Sequence, residues 1–238
     1  MKLKNLILGV GAVGLLFSCS QEKTYRITPT SMEGIEIGDT LKLRNYATGE
    51  SIDSLVVNDS TTFVFEGTLT ESVPAALTQN GRRVAAFVLE PGELKFDAAK
   101  KSITGTSLND TDSKVMLFVD SLYKNIKEQT KALAELPEKE GMEKLSALYM
   151  KAQDLRDSTY QKVFRDNKTN PLGYIYFVEL VGGCETVSEI NEMLQGTPEW
   201  FKETKAVKSF ISEAENREMT SVGKKFVDFE VTTSEGKT

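Results

Sequence analysis

The sequence predicts an α+β chain: an N-terminal antiparallel β-sandwich or barrel-like domain over residues 25–106, then an all-helical segment over residues 107–218. Three observations carry this. Apolar residues alternate with polar ones from Tyr25 to about Thr104. Turn residues interrupt that alternation at short, even intervals. At Ser107 the apolar spacing changes to three and four, the period of a helix. A chain of 238 residues, 39% hydrophobic and 27% charged, has room for one large domain or two small ones.

The strands follow in order. In Thr40-Leu41-Lys42-Leu43-Arg44-Asn45-Tyr46, Leu41 and Leu43 share one face and Lys42 and Arg44 the other. Thr48-Gly49-Glu50 reads as a turn. Residues 52–57 and 62–66 flank Asn58-Asp59-Ser60 and predict a hairpin. Residues 84–89 and 93–96 flank Glu90-Pro91-Gly92, where Pro presets φ and Gly supplies positive φ for a type II turn. Seven or eight such strands suit a sandwich or barrel-like sheet.

Ser107 as cap, with Asp110 three residues on, predicts a helix start. Val115, Val119, Leu122, Ile126, Leu133 and Leu136 then line one stripe, with Gln129 the exception, until Pro137 stops the helix. A second helix over 138–167 carries Leu145, Leu148, Ala152, Leu155, Val163 and Phe164, so the pair reads as an antiparallel hairpin whose stripes pack on each other. Asn170-Pro171 opens a third helix to Val181, apolar nearly all round and so buried between other elements. Gly182-Gly183 ends it. Two more helices are predicted over 186–194 and 198–217, with Thr197-Pro198 as cap and first position. Trp200, Phe201, Val207, Phe210 and Ile211 form the inward side of the last. Residues 219–238 read as linker and tail.

The first residues stand apart. Lys2 and Lys4 precede an apolar run, Leu6 to Phe17, too short to span a bilayer and suited to an export signal over residues 1–18. Leu16-Phe17-Ser18-Cys19 resembles a bacterial lipobox. That resemblance implies that the Cys19 thiol is lipidated and that residues 19–24 form a tether. It also implies that the chain faces the periplasm on either membrane of the cell envelope. Loss of Lys2 and Lys4 takes the formal charge from −6 to −8. So acidic a chain has no electrostatic footprint for nucleic acid, and its attachment to the membrane rests on the lipid.

Histidine is absent and cysteine occurs twice, at Cys19 and Cys184. The Ser-His-Asp and Cys-His constellations and the usual zinc sets are therefore excluded. With Cys19 acylated, Cys184 has no thiol partner, and after Leu180-Val181-Gly182-Gly183 it reads as a buried, inert residue rather than a reactive one. Asn109-Asp110-Thr111-Asp112 lacks the glycine and distal glutamate of a calcium loop and reads as an acidic helix start. The residues predict no catalytic site, no cofactor and no metal.

The order of parts carries a second resemblance. Ile52-Asp53-Ser54, Phe63-Val64-Phe65-Glu66-Gly67 and Phe87-Val88-Leu89-Glu90-Pro91-Gly92, followed by helices, resemble the DUF4369-type N-terminal domain of Gram-negative envelope lipoproteins. In those proteins a thioredoxin-like, peroxiredoxin-type (AhpC/TSA) domain follows. Val222-Gly223-Lys224-Lys225-Phe226-Val227-Asp228-Phe229 is similar to the lead-in strand of that second domain, truncated here, with Val227 where proline is usual. The resemblance implies a non-catalytic accessory or substrate-positioning role in a membrane-anchored thiol-disulfide oxidoreductase. Its partners would be an envelope redox protein or a protein substrate. Thiol exchange needs an attacking and a resolving thiol, and the sequence contains no CxxC pair. A stand-alone ligand-binding or structural lipoprotein and a fragment of a peroxiredoxin-type antioxidant protein are the other readings. An enzyme relying on Cys184 is the weakest.

Overall fold

The computed structural model describes residues 23–223. The signal segment, Cys19 and the tail from Lys224 lie outside the described residues. Eight strands come first: β1 (Lys23–Ser31), β2 (Thr40–Asn45), β3 (Ser51–Val56), β4 (Phe65–Leu69), β5 (Val73–Gln79), β6 (Arg82–Leu89), β7 (Gly92–Asp97) and β8 (Ser102–Thr104). Helices follow: α1 (Ser107–Leu133), α2 (Glu138–Asp166), α3 (Pro171–Leu180), α4 (Val187–Leu194), α5 (Glu199–Lys202) and α6 (Lys205–Thr220). β1 begins two residues inside the expected tether, because Lys23 and Thr24 pair with Leu69 and Thr68 of β4.

The strands form two four-stranded sheets, ordered β4-β1-β7-β8 and β3-β2-β5-β6. Their inner faces meet in one core, with Ile27, Phe65, Leu94 and Phe96 on the first and Leu41, Leu43, Leu77 and Phe87 on the second. Each of these side chains is at most 1% exposed, and burying one contributes about 1.5–3 kcal/mol. The sandwich is therefore as predicted, with one departure: β1 and β7 run parallel, so the sheets are only predominantly antiparallel. The register slips after Pro29, which has no N–H for the ladder.

The expected hairpin over 52–66 is not formed. β3 pairs with β2 and β4 with β1, so the segment between them crosses from one sheet to the other. Val57 and Phe63 are buried in the sandwich core at the two ends of this crossing. The Asp59 carboxylate accepts from the Thr61 backbone N–H and hydroxyl and shapes the turn. Glu90-Pro91 likewise carries the chain across, from β6 to β7, with Gly92 at φ +126°.

The outer face of the second sheet is covered as well. Val88, Ala47 and Ala86 pack with α3 and its neighbours in a second core. β5 consequently reads as an almost continuous buried run, Pro74 to Thr78. α3 is buried from Pro171 to Phe177, as its all-round apolar sequence predicts. Close approach of α2 to α3 requires glycine at 173, since a Cβ there would lie 2.1 Å from the Asn167 carbonyl oxygen.

α1 closes the side of the sandwich where β6 and β8 present their edges, touching both. Thr106, not Ser107, is its N-cap residue, and the first free N–H groups find partners elsewhere. Leu108 N–H donates to the Glu90 carboxylate at 3.0 Å, and Gly105 N–H to Asp110 at 2.8 Å. Asn109 is fully buried; its Nδ2 donates to the Val88 carbonyl at 2.7 Å and its Oδ1 accepts from Val88 N–H at 2.9 Å. Val88 lies on an edge strand opposite Pro74, whose own carbonyl points away to Tyr46 N–H. Both Val88 backbone groups therefore face outward, and the Asn109 amide stands in for a paired strand residue.

The predicted last helix is broken in two. Thr204 caps α6, accepting from Val207 N–H, while its hydroxyl donates to the Phe201 carbonyl of α5. The break buries Phe201 but leaves Trp200, expected to face inward, 40% exposed. α4 begins with a capping box between Thr186 and Glu189.

Truncation of Asn109 to Ala should leave both Val88 backbone groups buried and unpaired. The expected loss is about 2–4 kcal/mol in urea unfolding. Asn109→Asp should be destabilised more at pH 7 than at pH 4, because its carboxylate would face the Val88 carbonyl.

Candidate functional site

Cys184 follows the 3-10 turn Val181–Gly183 and is half-buried. Its thiol donates to the Met193 thioether at 3.4 Å, and its carbonyl accepts from Arg217 Nη2 at 3.1 Å. Burial pushes the thiol pKa above its ordinary value and Glu189 adds to this, while Arg217 acts in the opposite direction. A reactive cysteine needs the reverse, a site that favours thiolate. The side chain lines an open cleft of about 670 Å³ between α2 and α4, with Arg156, Phe164 and Lys168 on the α2 side. Lys168 sits over the Phe164 ring, 5.3 Å from its centroid, and donates to the Gln195 carbonyl at 2.9 Å.

A second group of residues meets where the sandwich joins the helical layer. Asp112 of α1, Tyr160 of α2, Tyr176 and Glu179 of α3 and Arg83 of β6 line a cleft of about 250 Å³, with Lys100 and Lys101 from the β7–β8 turn. Tyr176 donates its hydroxyl to Asp112 Oδ1 at 2.7 Å, and the Tyr160 ring stands edge-on to Tyr176 at 5.0 Å. Burial pushes the Asp112 carboxyl up to about 6; the Tyr176 hydrogen bond partly offsets this and Glu179 reinforces it. Burial, with Asp112 beside it, raises the Tyr176 phenol too. Arg83 donates to the Tyr46 hydroxyl, lies over that ring, and approaches Glu179 to 4.0 Å. A carboxyl poised near 6 in a cleft can hold or release a proton in the physiological range.

The four residues Asn109 to Asp112, read from sequence as an acidic helix start, thus diverge: to Val88, to Gly105, to the Ser107 carbonyl and to Tyr176. The Asp112 pairing has one signal in the sequence, two tyrosines inside a largely apolar helix, since a buried phenol needs a partner, and it does not distinguish Tyr176 from Tyr174. Among the described residues there is no cluster of three or more metal-ligating acidic or cysteine side chains, and no helix long and apolar enough to cross a membrane.

Beyond the sandwich, α1 and α2 form an arm. Val119, Ile126 and Ala152 are buried yet belong to neither large core, so the arm has its own thin seam. The arm exposes Met116, Leu117, Phe118, Met142, Tyr149 and Met150. Leu155, expected on the packed stripe, is also 39% exposed.

The Asp112 pKa carries a sign. A folded-state value near 6 lies above the 3.8 of the free side chain. Its contribution to stability is therefore full below about pH 4 and is lost as the pH rises through about 6. Asp112→Asn keeps an acceptor for Tyr176 and removes the charge. It should be more stable than the parent by about 2 kcal/mol at pH 7, with the gap closing near pH 4, in paired urea titrations.

Comparison with curated proteins gives no match, and neither does comparison with solved structures. A match to a family model takes in the strands from Tyr25 of β1 onward and the first turn of α1, with both Val88 and Asn109. Residues 25–111 of this chain match the family model described as Domain of unknown function (DUF4369).

Proposed function

We propose that the chain is a non-catalytic accessory module of a membrane-anchored envelope thiol-disulfide oxidoreductase, tethered through a lipid on Cys19. It presents the α1–α2 arm to the thioredoxin-like domain that carries the redox thiols. The observation that carries this reading is the arm itself. Two helices of 27 and 29 residues hold apolar side chains in solvent, three of them methionine. Exposed apolar surface of this kind suits a protein partner, and methionine adapts to the shape it meets. The DUF4369 match supports the reading through the resemblance of that domain to modules that precede thioredoxin-like domains. The Cys184 environment supports it too, since a thiol with a raised pKa next to a thioether favours no exchange at pH 7.

Three measurements test it. Labelled palmitate should enter the chain and be lost in Cys19→Ala. The purified chain should reduce insulin no faster than buffer, and rates above buffer that Cys184→Ser abolishes would overturn the non-catalytic assignment. Met142→Glu combined with Met150→Glu should weaken binding to a thioredoxin-like domain of the same envelope about tenfold, or about 1.4 kcal/mol. Unchanged binding would remove the arm from the interaction.

A further inference from the structure

We infer that the cleft under Trp200 is a binding site for a neutral saccharide. This cleft, about 290 Å³, lies at the end of the second sheet away from Asp112, where the β2–β3 and β4–β5 turns meet the start of α3 and α5. It is close to the lower limit of small-ligand sites, about 300 Å³. The inference does not rest on the redox reading.

The cleft combines an aromatic plate with hydroxyl and amide groups. Trp200 is 40% exposed, although Tyr174 and Phe201 pack against it at 5.8 and 5.5 Å. Those two rings are fully buried, so they hold the indole in place while part of it stays open to the cleft. Pro74 and Pro171 add apolar wall. The face of an indole is electron-rich and attracts the polarised C–H bonds of a pyranose ring. On the polar side stand Glu71, Ser72, Thr169 and Asn45. The first three side chains and Asn45 Nδ2 make no hydrogen bond to the described residues, while Asn45 Oδ1 holds Ala47 N–H and Thr48 N–H. That leaves donors and acceptors unpaired within the described residues, on Glu71 and Thr169, which are exposed, and on Ser72 and Asn45, which are half-buried.

Charge narrows the ligand. Glu71 is the one charged residue lining the cleft, and no lysine or arginine does so. An anion, a nucleotide or an acidic peptide would meet no counter-charge. A quaternary amine would want an aromatic cage, and here a single ring is open. A sugar, apolar on its faces and hydroxylated at its edge, matches both sides.

A second observation stands directly behind the plate. The Tyr174 hydroxyl is buried without a hydrogen-bond partner. Thr204, which lines the cleft, is its polar neighbour, and the Thr204 hydroxyl, while donating to the Phe201 carbonyl, keeps lone pairs that can accept. Tyr174 itself does not line the cleft, so this phenol bears on a ligand there only through Thr204.

Trp200 is the sole tryptophan, so indole emission of the full chain reports on this cleft alone. Cellotriose, maltotriose and triacetylchitotriose are each titrated to about 10 mM, a range that captures millimolar dissociation constants. The expected result is a saturable emission change with at least one of them. Calorimetry should give about a tenfold weaker affinity for Trp200→Ala, measured well below its own thermal midpoint so that the variant is folded. If Trp200→Ala does not fold, Glu71→Ala, on an exposed turn, should show a severalfold loss. No saturable emission and no heat with all three sugars overturns the inference. So does binding that neither substitution weakens, or saturation by tetramethylammonium or a proline decamer in place of the sugars.

Discussion

The amide of Asn109 and the backbone of Val88 join the two halves of this chain at the edge of the second sheet, beside the apolar core that α3 shares with that sheet. A strand edge has donors and acceptors that must be paired when buried, and β6 has no further strand to pair them. One side chain supplies both partners, from the first turn of the helix that begins the second half. Glu90 works in the other direction, its carboxylate accepting from a free N–H of that helix. Sheet edge and helix end each carry unsatisfied groups, and each answers the other's need. The start of α1 is fixed by this reciprocity, whereas α3 is placed by its own packing on β5, β6 and α2.

The consequence is a layered body. The first sheet covers one face of the second, and α3 covers the other, so β5 and β6 lie in the middle with small residues such as Ala76 and Ala86 where the helix comes close. The seam that results is not wholly apolar. Asp112 and Tyr176 meet in it, and their mutual hydrogen bond only partly compensates the desolvation of the carboxyl. The surface of the first sheet behaves differently, with Arg26 paired to Glu66 and Lys95 beside Glu93 in solvent, where such pairs contribute little.

Local chemistry was legible from sequence; assembly was not. Pro137, Asn170-Pro171 and Thr186 mark helix starts because a cap acts on its own neighbours, and α2, α3 and α4 begin there, whereas α1 ends at Leu133, three residues before the expected Leu136. Alternation in β2 reveals which side chains face inward, yet says nothing about which strand lies alongside. Residues 52–66 therefore looked like a hairpin, although their two strands belong to different sheets. The parallel pairing of β1 with β7 spans some seventy residues and leaves no local trace. Asn109 and Asp112 looked like ordinary helix-start residues because their partners, Val88 and Tyr176, lie 21 and 64 positions away. Trp200 misled for a similar reason, as its helix breaks at a threonine that serves equally well inside a continuous one.

Synthesis runs from the amino end, and the edge of β6 is made some twenty residues before the side chain that covers it. Until α1 arrives, Val88 offers an open template to any extended polypeptide nearby, including another copy of itself. A nascent chain held at that stage is vulnerable to runaway strand addition, and the hazard ends when a single carboxamide swings into register.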